Sequence, residues 1–392
     1  MLCCMFKSSR TSQVRHLWKA RVHHETRIPE ENSDEYEFKS AIHSLLKHLK
    51  EKQLETLAQS VEMHGGEETD CIYLPRNGTG NGTECGKKSF APLLLCCKMW
   101  RWENLTSLNN LKRLPCCRVA EDPNYECCNP YHWSLRTEPD CKSTSTAWSE
   151  IEMSKFTVDH YGPPDYSDPH DVVSTETGMT PAPTWEAFSD TEEVPGYAVD
   201  NNVDSRHTSA GHMTSPRSQK GHHWCSLAYW ELRERTGRLL TVFDKHLNIF
   251  QSLPHGNGFC LGALQKETDC DSIRRTRTKI GYGVVLSQED DGVWMYNRSD
   301  YPIFVNSPTL ENPRTRSLYV HKVSPGYALK IFEYARGSWL KYACDQHLMD
   351  GPSNPFAVRV SFAKGWGPHY SRQCVTSCPC WFEICLTFDP SR

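Results

Sequence analysis

Residues 223–243 read HWCSLAYWELRERTGRLLTVF. Apolar and polar side chains alternate, aromatics and β-branched residues are frequent, and Gly237 breaks the run. A period of two puts every second side chain on one face of a strand. The same pattern recurs downstream in KIGYGVVLSQ (279–288), GVWMYNRS (292–299), YPIFVNS (301–307), SLYVHKV (317–323), ALKIFEY (328–334) and FAVRVSFAKGW (356–366). Gly, Pro or Asn separates these runs. Short strands at such spacing predict a β-sandwich over 223–392, flanked by helices and loops. A body of that length can bury an adequate core.

Upstream the character changes. From Phe156 to Ser205 there is no Lys or Arg, while Asp159, Asp165, Asp168, Asp171, Glu176, Glu186, Asp190, Glu192, Glu193, Asp200 and Asp204 are present. Pro, Ser and Thr are common. Such a stretch buries too little apolar surface to offset chain entropy, so 136–222 is predicted to be an acidic, disordered linker. Only 38 % of the chain is hydrophobic and its mean hydropathy is -0.62, in keeping with folded bodies joined by such a segment. Within it Pro163-Pro164-Asp165-Tyr166 is a PPxY motif, whose prolines pre-set an extended ligand for an aromatic WW-domain groove.

The N-terminal part reads as a basic tail over 1–35 (Lys7, Arg10, Arg15, Lys19, Arg21) and a small α+β domain over 36–135. Apolar residues at three- and four-residue steps, from Phe38 through Ile42, Leu45, Leu46, Leu49 and Leu57 to Val61, predict a helix over 36–64 stopped by Gly65-Gly66. A cysteine-dense block follows at 91–133. The start of the chain shows no apolar run of signal-peptide length, which favours reduced thiols or metal ligation over disulfides. Cys97, Cys116, Cys127 and His132 fit a closed tetrahedral zinc site, hence one structural Zn2+. The doublets leave Cys96, Cys117 and Cys128 as rival ligands.

Other patterns exclude chemistry. The Gly-rich 75–89 lacks P-loop spacing, and GNGFCLG (256–262) lacks the strand–helix context of a dinucleotide loop. Neither HExxH nor a nucleophile elbow occurs, so an enzyme is not expected. CVTSCPC (374–380) reads as ordinary buried thiols. Arg274, Arg275, Arg277 and Lys279, with Lys364 and Arg372 around KGWGPHYSR, mark two basic clusters suited to an anionic partner. No run approaches a transmembrane length, so membrane insertion is not expected.

HWCSLAYWELRERTGRLL, LPHGNGFCLG, RRTRTKIGYGVVLS, DGVWMYNRSDYPIFVNSPTL, SLYVHKVSPGY and SFAKGWGPHYSRQCVTSCPCWFEI closely resemble the C-terminal MH2 domain of the Smad family. HSLLKHLKEKQLE, LLLCCKMWRW and CCNPYHW resemble its N-terminal MH1 domain. The chain is most similar to the inhibitory class: Leu17-Trp18 in the basic opening, the PPxY after the zinc block, and an end at FDPSR without the serine tail that receptor kinases phosphorylate.

The resemblance implies an MH1-like zinc domain, a linker, and an MH2 domain of the SMAD/FHA-like sandwich type. It implies zinc at Cys97, Cys127 and His132, with Cys116 as fourth ligand. It implies that Arg275, Lys279, Lys364, Trp366 and Arg372 face phosphorylated type I receptor kinases of the TGF-β/BMP superfamily, and that Pro163, Pro164 and Tyr166 engage a WW-domain HECT ubiquitin ligase. Other Smads are further expected partners, in cytoplasm and nucleus. The alternative is a DNA-binding transcription regulator acting through the MH1-like domain. Against it, RNGTGNGTECGKKS offers only Lys87 and Lys88 as clustered charge where the family carries its DNA-reading hairpin, so DNA contact is expected to be weak or absent.

Overall fold

The computed structural model describes residues 10–22, 33–75, 90–118, 124–137, 223–253, 257–265, 267–312, 318–345 and 354–387. The chain divides into two units, residues 1–155 with 221–392, and residues 156–220. Every described residue belongs to the first. The acidic stretch and its PPxY lie outside the described residues.

The N-terminal body is built on α1 (Arg10–Lys19), α2 (Ser33–His48), α3 (Glu51–Glu62) and α4 (Pro92–Trp100). The single helix expected over 36–64 is two. Arg10 explains the break: its Nη2 donates to the carbonyls of Leu46, Lys47 and Leu49 at 2.6, 2.8 and 3.0 Å. Those are orphan acceptors at the end of α2, and a guanidinium also answers the negative helix terminus. The Lys50 amide then donates to Gln53 Oε1 and starts α3. The expected basic tail is therefore in part a helix that packs: Leu17 is fully buried beside Ile42, Leu46, Leu54 and Leu57.

Four short strands complete this body. β1 (Tyr73–Pro75) pairs antiparallel with β3 (Tyr125–Cys127), and β2 (Leu111–Arg113) with β4 (Trp133–Arg136).

The C-terminal body carries β5 (Cys225–Glu231), β6 (Glu234–Arg235), β7 (Leu240–Val242), β8 (His246–Phe250), β9 (Phe259–Cys260), α5 (Asp271–Ile280), β10 (Val284–Glu289), β11 (Gly292–Asn297), β12 (Ile303–Asn306), β13 (His321–Val323), β14 (Tyr327–Glu333), α6 (Tyr334–Asp345), β15 (Ala357–Phe362) and β16 (Trp381–Leu386). Two seven-stranded sheets form. One runs β2-β4-β14-β11-β10-β8-β9, the other β13-β12-β15-β16-β5-β6, with β7 also on β5. Leu227, Tyr229, Val360, Phe382 and Ile384 from the second sheet meet Ile249, Leu286, Val293, Met295 and Leu329 from the first in a single core. Alternation in the sequence thus translates directly into burial.

The first sheet is shared between the N- and C-terminal bodies. β4 lies parallel to β14, with Leu135 opposite Tyr327 and Arg136 opposite Ala328. The Leu135 and Thr137 amides donate to Gly326 and Ala328 carbonyls at 3.2 and 2.7 Å. Lys112 Nζ sits 2.7 Å from Glu289 Oε2 and over the Trp294 ring. Side chains therefore reinforce the backbone ladder.

Candidate metal centre and basic surface

The β1–β3 ribbon decides the cysteine chemistry. Tyr73 pairs with Cys127, so the chain just before β1 runs beside the end of β3. That brings Cys71 to Cys127. The tight 3-10 turn Pro130–His132, capped by the Asn129 side chain accepting from the Tyr131 amide, swings His132 back to the same point. Cys117 arrives from the turn after β2. The donor atoms of Cys71, Cys117, Cys127 and His132 all lie within 4.8 Å of one another. Cys71 Sγ is 3.9 Å from Cys117 Sγ and 3.5 Å from His132 Nδ1, and Cys127 Sγ is 3.4 Å from the same nitrogen.

His132 Nε2 lies 3.1 Å from the Thr69 carbonyl. A carbonyl can only accept, so Nε2 carries the proton and the Nδ1 lone pair points at the three sulfurs. This is the arrangement by which a backbone group orients a metal-binding imidazole. The electrostatics agree. Cys71 is driven far below the ordinary thiol range by its contacts with Cys117 and then Cys127, while Cys127 is driven up by Cys117 and then Cys71. Crowded donors share too few protons, and one cation would satisfy all four. Three sulfurs and one imidazole fill a tetrahedron, which suits a structural ion.

The sequence assignment of ligands is corrected at two positions. Cys97 lies on the buried face of α4, fully enclosed in the helical core, and burial pushes its thiol up to about 12. Cys116 packs instead with Leu114, Tyr296 and Ala328, and burial pushes it to about 12 as well. Its neighbour Cys117 takes the place at the centre, because adjacent residues of an extended turn face opposite ways. Cys71 was missed because it stands outside the dense block. Its signal was a lone cysteine immediately before a short β run.

The basic residues sit on two elements. α5 presents Arg275, 78 % exposed and 3.4 Å from Asp271, and Lys279, whose Nζ lies 5.1 Å from the Tyr301 ring centre. Arg274 also pairs with Asp271. Arg277 does the opposite. It turns inward to Glu231, with Nε–Oε1 2.7 Å and Nη2–Oε2 2.6 Å. The 364–372 loop is closed by the Gly367 amide donating to the Arg372 carbonyl at 2.7 Å. Lys364 and Arg372 are half-buried there.

Segment 378–380 links these two elements: the Cys378 thiol donates to the Lys364 carbonyl at 3.6 Å and Cys380 to the Ile273 carbonyl at 4.0 Å. Trp366 is only 2 % exposed, packed with Phe304, Cys378 and Trp381. Its ring holds the loop from beneath and offers no face to a partner. Among the sequence-expected residues, Pro163, Pro164 and Tyr166 lie outside the described residues.

The MH2 domain family matches residues 222–387 and the MH1 domain family residues 38–137. Mothers against decapentaplegic homolog 6 of Gallus gallus is 44 % identical over 355 residues, covering 90 % of this chain and 76 % of that protein. Homolog 7 of Mus musculus is 38 % identical over 398 residues, covering 97 % and 85 %. Homolog 7 of Homo sapiens is 39 % identical over 363 residues, covering 89 % and 78 %.

The chain is an inhibitory Smad. Among solved structures, the IAD domain of Interferon Regulatory Factor 9 aligns at a TM-score of 0.31 and 12 % identity, over 44 % of this Smad and 87 % of that chain. Membership gives the Smad a role in TGF-β/BMP signalling, in a family of signalling and transcription regulators that are not enzymes. No helix among its described residues is long and apolar enough to cross a membrane.

Proposed function

We propose that this Smad is an intracellular antagonist of TGF-β/BMP-type signalling, working in cytoplasm and nucleus. Its MH2 domain binds phosphorylated type I receptor kinases and other Smads. Its PPxY (Pro163, Pro164, Tyr166) recruits a WW-domain HECT ubiquitin ligase. One zinc ion at Cys71, Cys117, Cys127 and His132 holds the MH1-like fold and performs no chemistry.

The observation that carries this reading is the two-sidedness of α5. Arg277 fastens the helix to β5 through Glu231, which leaves Arg275 and Lys279 on its solvent side. A phosphate carries about -1.5 to -2 charge and several acceptor oxygens, which clustered Lys and Arg neutralise through charge-assisted hydrogen bonds. Lys364 and Arg372 extend the same character onto the loop tied to α5 through 378–380.

The test is a pull-down with phosphorylated receptor cytoplasmic domain. Lys279→Glu with Lys364→Glu should abolish capture and raise signalling at nearly unchanged melting temperature, and capture by the parent should fall as salt rises. Undiminished capture by the double variant removes the basic surface from the mechanism. Tyr166→Ala should reduce ligase co-precipitation while leaving receptor capture intact; equal co-precipitation removes the PPxY.

A further inference from the structure

Strand β7 is an outer strand of its sheet. It pairs with β5, and no other strand among the described residues covers it. Val242 is buried, so alternation turns Thr241 and Phe243 outward. Phe243 is 61 % exposed and Leu239 is 52 % exposed. The ring of Phe243 is held edge-on by His223, with centroids 6.2 Å apart. Exposed Arg233, Arg235, Arg238 and Lys245 flank β7 in sequence, with Glu234 and Asp244 as the exposed acids of the same stretch. None of those four cations has a carboxylate partner among the described residues.

Charge on an edge strand is an ordinary defence against unwanted pairing. It does not account for two large apolar side chains held in water on that same edge. An open backbone edge, apolar side chains and a surplus of unpaired cations together match the requirements of strand addition: main-chain bonds supply affinity, and alternate side chains supply selectivity.

We propose that the β7 edge is a docking site for an extended acidic segment of a partner protein. The segment adds as a strand beside β7, sets apolar side chains against Leu239 and Phe243, and brings its carboxylates to Arg235 and Arg238. It uses no residue of the α5 and 364–372 surface, so this site and the receptor reading stand or fall separately.

The experiment uses the full chain and a fluorescein-labelled peptide of about ten residues alternating Glu and Val, beside Lys–Val and Glu–Ser counterparts. Anisotropy should show the Glu–Val peptide binding at least about tenfold more tightly than either counterpart, with affinity falling as salt rises. Hydrogen exchange at 239–243 should slow on binding. Leu239→Ser with Phe243→Ser, and separately Arg235→Glu with Arg238→Glu, should each weaken binding about tenfold or more at an unchanged melting temperature. Arg275→Glu should leave it unchanged.

Equal affinity for the Lys–Val peptide, no binding, or unaltered exchange at 239–243 would overturn the proposal. So would self-association that Leu239→Ser with Phe243→Ser abolishes in a chain that ignores the peptide, which would make a second copy the occupant.

Discussion

Arg277 and Glu231 are joined by two nearly parallel bonds, 2.7 and 2.6 Å, with both side chains almost wholly enclosed. The Tyr229 hydroxyl donates to the same carboxylate at 3.0 Å. This fork fixes the rotation of α5 and so decides which of its cations face solvent.

Arg277→Ala leaves the Glu231 carboxylate buried without its counter-charge. Breaking such a pair costs ~3–5 kcal/mol. Thermal unfolding should show a melting temperature lowered by several degrees, and receptor capture should fall although the exposed cations are intact. A variant as stable as the parent would show that the fork contributes nothing.

The metal assignment separates Cys71 from Cys97. Cys71→Ser and Cys117→Ser should each lower zinc per chain, as measured by atomic emission. Cys97→Ser should retain the metal while losing stability, because it places a hydroxyl in an apolar core. Chelation should unfold the MH1-like body and leave the MH2 core folded. Metal retained by the Cys71 variant and lost by the Cys97 variant would restore the ligand set expected from sequence.

The Lys112–Glu289 pair links the N- and C-terminal bodies across the shared sheet. Lys112→Ala should cost ~1 kcal/mol, a modest figure because Glu289 is partly open to water. Hydrogen exchange should speed up at Leu135 and Thr137, whose amides bond to the β14 side of the junction. Unaltered exchange there would detach the pair from the junction.

Trp366 tests whether the loop acts through its ring or its frame. Trp366→Ala removes a fully packed indole and should cost ~3–5 kcal/mol. The signature is a lower melting temperature together with weaker receptor capture. Loss of capture at unchanged stability would make the indole a direct contact.

Asp291 supplies a pH test. Burial pushes its carboxyl up, but the Lys330 ammonium at 2.6 Å wins and holds it below the usual range. A carboxylate whose folded pKa is depressed contributes stability above its unfolded value, and that share disappears as pH falls through the folded value. With an ordinary Asp near ~3.9, the loss falls in the acid limb below about pH 4. NMR titration should show Asp291 depressed in the parent and raised by Lys330→Ala. The same titration midpoint in both would refute the pairing.

The strands of the C-terminal body were legible because a half-buried strand must alternate: the run at 223–243 contains Leu227, Tyr229 and Val242, all enclosed. The basic clusters were legible too, since composition carries them. α5 was read only as a charge run. Its inward residues Ile273, Thr276, Arg277 and Ile280 do follow helical spacing, but the Arg belongs to that face only because Glu231 receives it. Likewise, Arg10 looked like a solvated tail charge until the end of α2 supplied carbonyls for it.

Sequence by itself determined most strands of the C-terminal body, because alternation is a local pattern that acts over a few residues. It also determined that the N-terminal block holds a cysteine–histidine centre. Only the tertiary structure decided which member of the 116–117 doublet belongs to it, that Cys71 joins it, and that β4 closes a sheet begun by β14. Those are long-range matters. Neighbouring side chains point opposite ways, and the strand that will receive them lies far along the chain, so pairing register rather than spacing selects the partner.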